Sequence, residues 1–303
     1  MCQLNTSAVF CDVTYQNLGK NSPVLAAIHN SGVARRSMIR IKVPNGNVQV
    51  KDSTGALLPT DVICANATDS TDCDLFFTNS FTGFAISYFY LVPSATSNQV
   101  TAQSFTAGKT IQINPSQSIV LNDKLSFGLK YCTDSSQSNC YNTQFSIKYN
   151  YYEGYQGGGQ KSGAYIFRPS EKTKNGALSY ATPQSVSIYQ GKNLIQIHVD
   201  STKIISDLRI YNDIATGLEL QSFVNSIDVS DGQGKEVILV VNAPSIQNGK
   251  TFYTDSMGME LQQRILNFRP TWDLQVTQPI AGNYYPVQSA ILINDTNTHE
   301  SLA

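Results

Sequence analysis

Apolar and polar residues alternate along most of this chain, whereas the spacing of an amphipathic helix is scarce. Alternating segments include RRSMIRIKV, TQFSIKYNYY, LIQIHVD and KEVILVV. A period of two over four to eight residues, bounded by Gly, Pro, Asn or Ser, is typical of half-buried strands. The sequence therefore predicts a mainly β protein.

Turn signals such as VPNGN and KDSTG separate the first strands at short intervals, as in a β-sandwich. We expect a small β-sandwich at 24–95, a polar linker at 96–109 and a larger β-sandwich at 110–303. Residues 1–23 precede the first of these domains.

The chain carries few charges, since Asp, Glu, Lys and Arg make up 14% of it against a usual ~25%. Ser, Thr, Asn and Gln replace them, which suits an extracellular or luminal protein. The 21 basic and 22 acidic side chains form no basic run, so we expect no nucleic-acid partner. The sequence predicts no membrane span, and its first residues lack the pattern of a signal peptide.

The six cysteines fall into three local pairs: Cys2 with Cys11, Cys64 with Cys73, and Cys132 with Cys140. Each pair brackets a polar segment, and none has the C-x₂₋₄-C spacing of a zinc site. Buried free thiols are the alternative, but the local spacing favours disulfides. Disulfides persist in oxidising compartments, and three glycosylation sequons, at Asn5, Asn66 and Asn294, indicate such a compartment as well. An Asn-rich and Thr-rich chain also forms sequons by chance.

Few residues could carry catalysis. His198 has one candidate co-ligand, Asp200, on the same predicted strand face, but no second motif completes a metal site. A plain alternating strand explains this pair better. Glu153, Asp255 and Glu260 are candidate carboxylates for glycoside hydrolysis, yet each is more often a turn or surface residue.

Tyrosines beside amide side chains are more distinctive, in NYYEGY, SGAYIF and AGNYYP. Aromatic faces with nearby hydrogen-bonding groups suit pyranose rings, which have an apolar face and a rim of hydroxyls. Aromatic residues on strands are also ordinary core or cross-strand partners. The pattern is compatible with a sugar site and with packing alone.

Five segments follow one another along the second half of the chain: SGAYIFRP (162–169), DGQGKEVI (231–238), FYTDSMGMELQQR (252–264), FRPTWDL (268–274) and QPIAGNYYPVQSAILINDTN (278–297). Taken together and in this order, they resemble the C-terminal half of glycoside hydrolase family 38 α-mannosidases, most closely the lysosomal type. Near the start, CQLNTSAVFC resembles the family's disulfide-bracketed segment. The resemblance implies that residues 1–23 are a remnant of a preceding domain. It also implies an immunoglobulin-like small sandwich and a mutarotase-like larger one, incomplete at its C-terminal end.

The activity that this resemblance implies is that of a retaining α-mannosidase, which removes terminal α-mannose from glycans in the lysosome or secreted lumen. In this family, zinc and an aspartate nucleophile act in the N-terminal α/β domain, and we expect that domain to be absent from this chain. His198 and Asp200 lie in the part that resembles the family's C-terminal half, so we do not expect them to replace the zinc ligands of that domain. We expect the chain alone to bind no zinc and to be inactive, and we expect a partner domain or subunit to supply the catalytic residues.

Tyr165, in SGAY, matches a family tyrosine that reaches from the β-half to the sugar near the zinc. Residues 166–169 are interpreted as the strand start that anchors Tyr165, with Arg168 as a paired structural charge. Asp255 is interpreted as part of a hairpin turn, and residues 284–286 as a wedge against a neighbouring domain.

Two functions of different class follow. The chain is either the C-terminal β-portion of such a mannosidase or a non-catalytic luminal carbohydrate-binding or scaffold protein derived from one. If the genomic sequence directly upstream encodes a His-x-Asp-bearing α/β domain, the first function is favoured, and its absence favours the second.

Overall fold

The computed structural model describes residues 12–20, 25–29, 32–64, 73–133, 136, 138–212, 217–296 and 301–302. Antiparallel strands form most of its regular structure, which confirms the mainly β prediction. A short helix, α1 (Asp12–Asn17), precedes the strands, and a 3₁₀ turn, Ala281–Asn283, lies among the last of them. Four predicted site residues lie outside the described residues: Cys2, Asn5, Cys11 and Asn66.

Two facing sheets form the small sandwich. Its strands are β1 Leu25–His29, β2 Arg35–Val43, β3 Val48–Lys51, β4 Leu57–Leu58, β5 Asp61–Cys64, β6 Cys73–Phe81 and β7 Ala85–Pro93. The sheet orders are β1-β7-β3-β4 and β2-β6-β5. Alternation directs Val48 and Val50 of β3 into the core. There Phe77 packs edge-on against Phe89, with ring centroids 4.8 Å apart.

A second pair of sheets forms the large sandwich. Its strands are β8 Ala102–Ser104, β9 Lys109–Asn114, β10 Gln117–Asp123, β11 Ser126–Cys132, β12 Cys140–Glu153, β13 Leu178–Ser179, β14 Pro183–Gln190, β15 Leu194–Ser201, β16 Ile204–Tyr211, β17 Leu218–Val224 and β18 Lys235–Asn242. One sheet has the order β13-β12-β11-β10-β9, with β18 also paired to β12, and the other has the order β17-β16-β15-β14-β8. Phe127, Ile188 and Ile197 are among the fully buried residues between them.

A four-stranded sheet follows, of order β20-β19-β21-β22. Its strands are β19 Thr251–Ser256, β20 Glu260–Ile265, β21 Ile291–Asn294 and β22 Ser301–Leu302. The long connection between β20 and β21 carries the FRPTWDL and AGNYYP segments.

The segment predicted as a linker, 96–109, is attached to both sandwiches. The Val100 N–H donates to the Val62 carbonyl at 2.8 Å, which ties the segment to β5. Strand β8, which lies within the segment, pairs with β14 of the large sandwich. Backbone hydrogen bonds of this kind fix a segment that its polar composition alone would predict to be irregular.

A buried carboxylate and an apolar cluster join the two sandwiches. Asp61 accepts the backbone N–H groups of Lys192 at 2.8 Å and Asn193 at 2.6 Å. Beside it, Phe76 of the small sandwich and Leu194 of the large one are fully buried in one cluster. The junction is therefore a packed contact.

Two of the predicted disulfides lie within the described residues, and both are present. Cys64 is joined to Cys73, and Cys132 is joined to Cys140. In each pair the two cysteines face each other in register across adjacent antiparallel strands. Each bond therefore closes the base of a local hairpin.

Candidate functional site

The candidate site is built on a loop of residues 154–169, called here the Tyr165 loop. It begins directly after β12 and is closed at its base by a bridge between Gly154 and Pro169. Above the bridge, the Tyr155 N–H donates to the Arg168 carbonyl at 2.9 Å, and the Ser162 N–H donates to the Tyr155 carbonyl at 2.9 Å. The loop therefore has an internal backbone framework of its own.

Tyr165 lies at the tip of this loop and is fully exposed. The Gly163 N–H donates to the Ile166 carbonyl at 2.9 Å, which closes a tight turn over Ala164 and Tyr165. A phenol at such a tip can donate or accept a hydrogen bond and can also present an aromatic face. The prediction that this residue lies at the tip of a shaped loop agrees with this geometry.

Arg168 holds the two arms of the loop together. Its guanidinium carbon lies 3.8 Å from the centroid of the Tyr155 ring, and its Nη1 donates to the Gln160 carbonyl at 2.9 Å. The interpretation of Arg168 as a paired structural charge stays a prediction, and the groups that contact its guanidinium here are an aromatic face and a carbonyl. Residues 166–169 likewise form part of a braced loop and a single bridge, where the sequence suggested the start of a strand.

Phe167 connects the loop to a distant part of the chain. Its ring centroid lies 5.5 Å from that of Tyr152 and 5.6 Å from that of Tyr284. Burial raises the pKa of the Tyr152 phenol above its ordinary value of 10. Tyr284 is 71% exposed. These three rings, called here the aromatic row, contact one another through Phe167, which lies two residues after Tyr165 in the same loop.

The neighbouring Tyr285 has a structural role. The Arg264 and Arg269 guanidinium carbons each lie 4.9 Å from its ring centroid, and the Phe252 ring packs edge-on at 5.4 Å. Arg269 also donates to the Gly282 carbonyl through Nη2. The two tyrosines of the YYP segment therefore differ in role: Tyr285 packs against the rest of the structure and fixes the segment, whereas Tyr284 faces solvent.

Glu153, at the end of β12, is buried and serves the base of the loop. Its Oε1 lies 2.7 Å from Lys172 Nζ, and its Oε2 accepts the Ser170 hydroxyl at 3.3 Å. Its backbone carbonyl accepts the Ser170 N–H at 2.7 Å. This carboxylate therefore has a structural role, since it holds the residues that follow the loop after Pro169.

Asp255 is a buried hub between the β19–β20 turn and the segment before β21. It accepts N–H groups from Gln288 at 2.8 Å, Ser289 at 3.1 Å and Gly258 at 3.0 Å. Burial opposes the charge, but the backbone donors outweigh it and hold the Asp255 pKa far below its usual range. The hairpin-turn interpretation agrees with these contacts. Glu260 is exposed and accepts a hydrogen bond from Gln262.

His198 lies in a charge network on β15 and β16. Its Nδ1 is 2.7 Å from Asp207 Oδ1, and its Nε2 is 3.4 Å from Asp200 Oδ1. The hydrogen bond with Asp207 raises the His198 pKa, although burial opposes this shift. The fully buried Arg209 donates to Asp207 Oδ2 at 2.8 Å. Within the described part of the chain, no group of three or more His, Cys, Asp or Glu residues could hold a metal ion.

Asn294, the one sequon asparagine within the described part, lies at the end of β21. It lines a groove of about 300 Å³ together with Tyr253 and Gln263. The sequon threonine, Thr296, donates its hydroxyl to the Gln247 carbonyl at 3.1 Å. Among the described helices, none is long and apolar enough to cross a membrane.

The family of the chain follows from its match to a family model. The model described as the glycosyl hydrolases family 38 C-terminal domain matches residues 124–303. The chain therefore belongs to glycosyl hydrolase family 38. The matched region contains the whole Tyr165 loop and the aromatic row, so the candidate site lies within the family's C-terminal domain.

Curated relatives agree with this assignment. A lysosomal alpha-mannosidase of Dictyostelium discoideum is 42% identical over 158 residues, which is 51% of this chain and 15% of the relative. Alpha-mannosidase At3g26720 of Arabidopsis thaliana is 30% identical over 97% of this chain and 30% of its own length. The human lysosomal alpha-mannosidase is 31% identical over 86% of this chain and 26% of its own length. The chain spans less than a third of the length of each of these relatives.

Proposed function

We propose that this chain is the C-terminal β-portion of a lysosomal-type α-mannosidase, which hydrolyses terminal α-mannose from glycans in the lysosomal or secreted lumen. Its role is to complete the sugar-binding site of an N-terminal α/β domain that lies outside this chain. The observation that carries the proposal is the fully exposed Tyr165 at the tip of a braced loop in the matched family domain.

The Tyr165 phenol contacts the terminal mannose in this proposal. A phenol can donate a hydrogen bond to one sugar hydroxyl while its ring packs against the apolar face. The Arg168–Tyr155 stack and the Glu153–Lys172 pair hold the loop, so less conformational entropy is lost when sugar binds. The aromatic row extends this surface through the exposed ring of Tyr284.

Zinc and the aspartate nucleophile belong, in this proposal, to the N-terminal domain. When bound, the zinc of the complete enzyme would hold and polarise the terminal mannose. The described residues of this chain do not fit that metal, because both ring nitrogens of His198 face aspartates of a structural network. The retaining reaction would pass through a glycosyl-enzyme formed on the partner domain's aspartate.

The luminal location is supported by the chain's own chemistry. Two disulfides are present among the described residues, and such bonds persist in oxidising compartments. Lysosomal alpha-mannosidases are among the relatives that the chain matches. Low charge and the sequons at Asn5, Asn66 and Asn294 are consistent with a glycosylated luminal protein.

Purification of the native protein from its source, with disulfides intact, tests this proposal. We expect mass spectrometry to find a longer chain or a second bound polypeptide with a zinc site. That preparation should release mannose from mannose-terminated oligosaccharides, whereas recombinant residues 1–303 should not. Zinc-dependent turnover by the isolated chain would contradict the division of roles. A free native product of this length that binds mannose-terminated glycans without hydrolysing them would establish the non-catalytic alternative.

A further inference from the structure

Strand β18 forms an edge of the larger sheet. It pairs with β12 along its whole length, from Ser146↔Asn242 to Glu153↔Lys235, and no other described strand pairs with it. In an antiparallel strand, alternate residues direct their N–H and C=O groups to each side. Half of the backbone polar groups of β18 therefore face away from β12, along an edge that no described strand covers.

The side chains of β18 make this edge unusually apolar. Its sequence is KEVILVVN, which contains no proline, and its only two charged residues, Lys235 and Glu236, lie at one end. Proteins ordinarily protect a long edge with lysine, proline or a bulge, because a flat apolar edge pairs with other chains. The central residues 237–241 carry none of these devices.

The core side of β18 is also partly uncovered. Leu239 lies opposite the buried Tyr149, and Val241 lies opposite the buried Ile147, so both side chains point to the core face of the sheet. Nevertheless, Leu239 is 49% exposed and Val241 is 43% exposed. The core of the large sandwich is therefore open along this side.

The opposite sheet of the large sandwich, β17-β16-β15-β14-β8, also ends on the side where the core face of β18 is exposed. The Tyr149 hydroxyl is 2.6 Å from the Ser206 hydroxyl on β16 and 2.6 Å from the Ser222 hydroxyl on β17. These contacts place the β12 side of one sheet over β16 and β17 of the other. Strand β17 is itself the edge of its sheet, and its core-facing Val224 is exposed. Two edges and their apolar side chains thus border one opening.

We infer that the free edge of β18 pairs with an extended strand of the polypeptide that supplies the rest of the family fold. This inference rests on the proposed function. The incoming strand adds backbone hydrogen bonds to β18 and inserts apolar side chains at alternate positions between the sheets. The length of the relatives supports this occupant, since the chain spans 26% of the human lysosomal enzyme and 30% of the Arabidopsis enzyme.

Hydrogen exchange of the β18 amides, measured by mass spectrometry, tests this inference. The native assembly is compared with the isolated recombinant chain over residues 235–242. We expect exchange to be at least about tenfold slower in the native assembly, because the outward amides become hydrogen-bonded. Val241→Lys should lower the yield of the assembly, while Ile86→Lys, at a 56% exposed site on β7, should leave it unchanged.

Each outcome decides the inference separately from the proposed function. Protected β18 amides in an assembly without mannosidase activity would support strand pairing and contradict the proposed function. An active assembly in which these amides exchange as in the isolated chain would overturn the strand pairing alone. Protection that arises in the isolated chain as it dimerises would identify a second copy as the occupant and also overturn the inference.

Discussion

Arg168 stacks on Tyr155, with the guanidinium carbon 3.8 Å from the ring centroid. These two residues lie on opposite arms of the Tyr165 loop, and their backbones are also joined by a hydrogen bond of 2.9 Å. The stack therefore holds the two arms together below Tyr165. Loop geometry, and with it the position of the phenol, depends on this contact.

Removal of the stack should reduce activity more than stability. We expect Arg168→Ala in the assembled enzyme to lower kcat/KM by about tenfold, because the tip residue loses its fixed position. An exposed cation–π contact contributes only about 0.5–1 kcal/mol, so the Tm should change little. Steady-state kinetics and thermal melting measure both effects. Lys161→Ala, an exposed change in the same loop, is the control. Equal kinetics for the two variants would contradict the bracing role.

The Cys132–Cys140 disulfide should stabilise the chain measurably. It closes a hairpin loop of sequence separation 8, and a loop of this size corresponds to about 2–3 kcal/mol in the chain-entropy account. The double variant Cys132→Ser/Cys140→Ser should lower the free energy of unfolding by that amount. Urea unfolding under non-reducing conditions provides the value. An unchanged midpoint would show that the bond adds nothing to stability.

Asp61 should be important for the junction between the sandwiches. It is buried and accepts two backbone N–H groups, from Lys192 and Asn193. Asp61→Ala leaves those donors without an acceptor, and each unsatisfied buried donor costs about 1–3 kcal/mol. We expect a loss of about 2–5 kcal/mol in urea unfolding, whereas the exposed change Asp273→Asn should have no effect. Equal stability of both variants would contradict this role of the junction.

The His198–Asp207 pair should make stability depend on pH. The His198 pKa is raised above its ordinary value of 6.5, so its contribution is fully present below that value and is lost as pH rises through the raised pKa. The Asp207 pKa is lowered, despite burial, by His198 and Arg209, so its contribution is present above the ordinary value of 3.8 and is lost as pH falls through the lowered pKa. Within the described structure, the other charged group that faces His198 is Asp200.

Thermal melting across this pH range tests the pair. The Tm of the native chain should fall as the pH rises above 6.5 and through the raised His198 pKa, and His198→Gln should flatten that dependence. Ser185→Ala removes a 3.0 Å hydrogen bond to Asp200 without removing a titrating group, so it should keep the slope. A slope that His198→Gln leaves unchanged would exclude His198 as its source.

Local patterns predicted the features that depend on neighbouring residues. Alternation in LIQIHVD predicted β15 and placed His198 and Asp200 on one face, as observed. Short spacing predicted that Cys64 pairs with Cys73 and that Cys132 pairs with Cys140. In these cases the strand period or the hairpin itself brings the two groups together.

Contacts between distant segments could not be predicted in the same way. Phe167 meets Tyr284 only because the chain returns through the four-stranded sheet, and no sequence spacing encodes that approach. Arg168 contacts the face of Tyr155, a partner that the residue type and its position in the sequence did not specify. The pairing of β8, which lies within the predicted linker 96–109, with β14 could not be predicted either, because the paired residues lie about 85 positions apart along the chain.

The most direct test of the central claim is the effect of Tyr165 on mannose release by the assembled native enzyme. Loss of a hydrogen bond and an aromatic face at the sugar should lower kcat/KM by about 10- to 100-fold in Tyr165→Ala. Zinc content and Tm should not change, because the side chain is fully exposed. Tyr141→Ala is the matched control, since this exposed tyrosine lies near the far end of the 14-residue strand β12, which separates it from the base of the Tyr165 loop by ~40 Å of strand.

Comparison of Tyr165→Phe with Tyr165→Ala then separates the hydroxyl from the ring. We expect an intermediate kcat/KM for Tyr165→Phe, which keeps the aromatic face and loses only the hydrogen bond. If kcat/KM for Tyr165→Ala equals that of the wild type, Tyr165 does not contact the substrate, and the proposed role of this chain at the mannose site is contradicted.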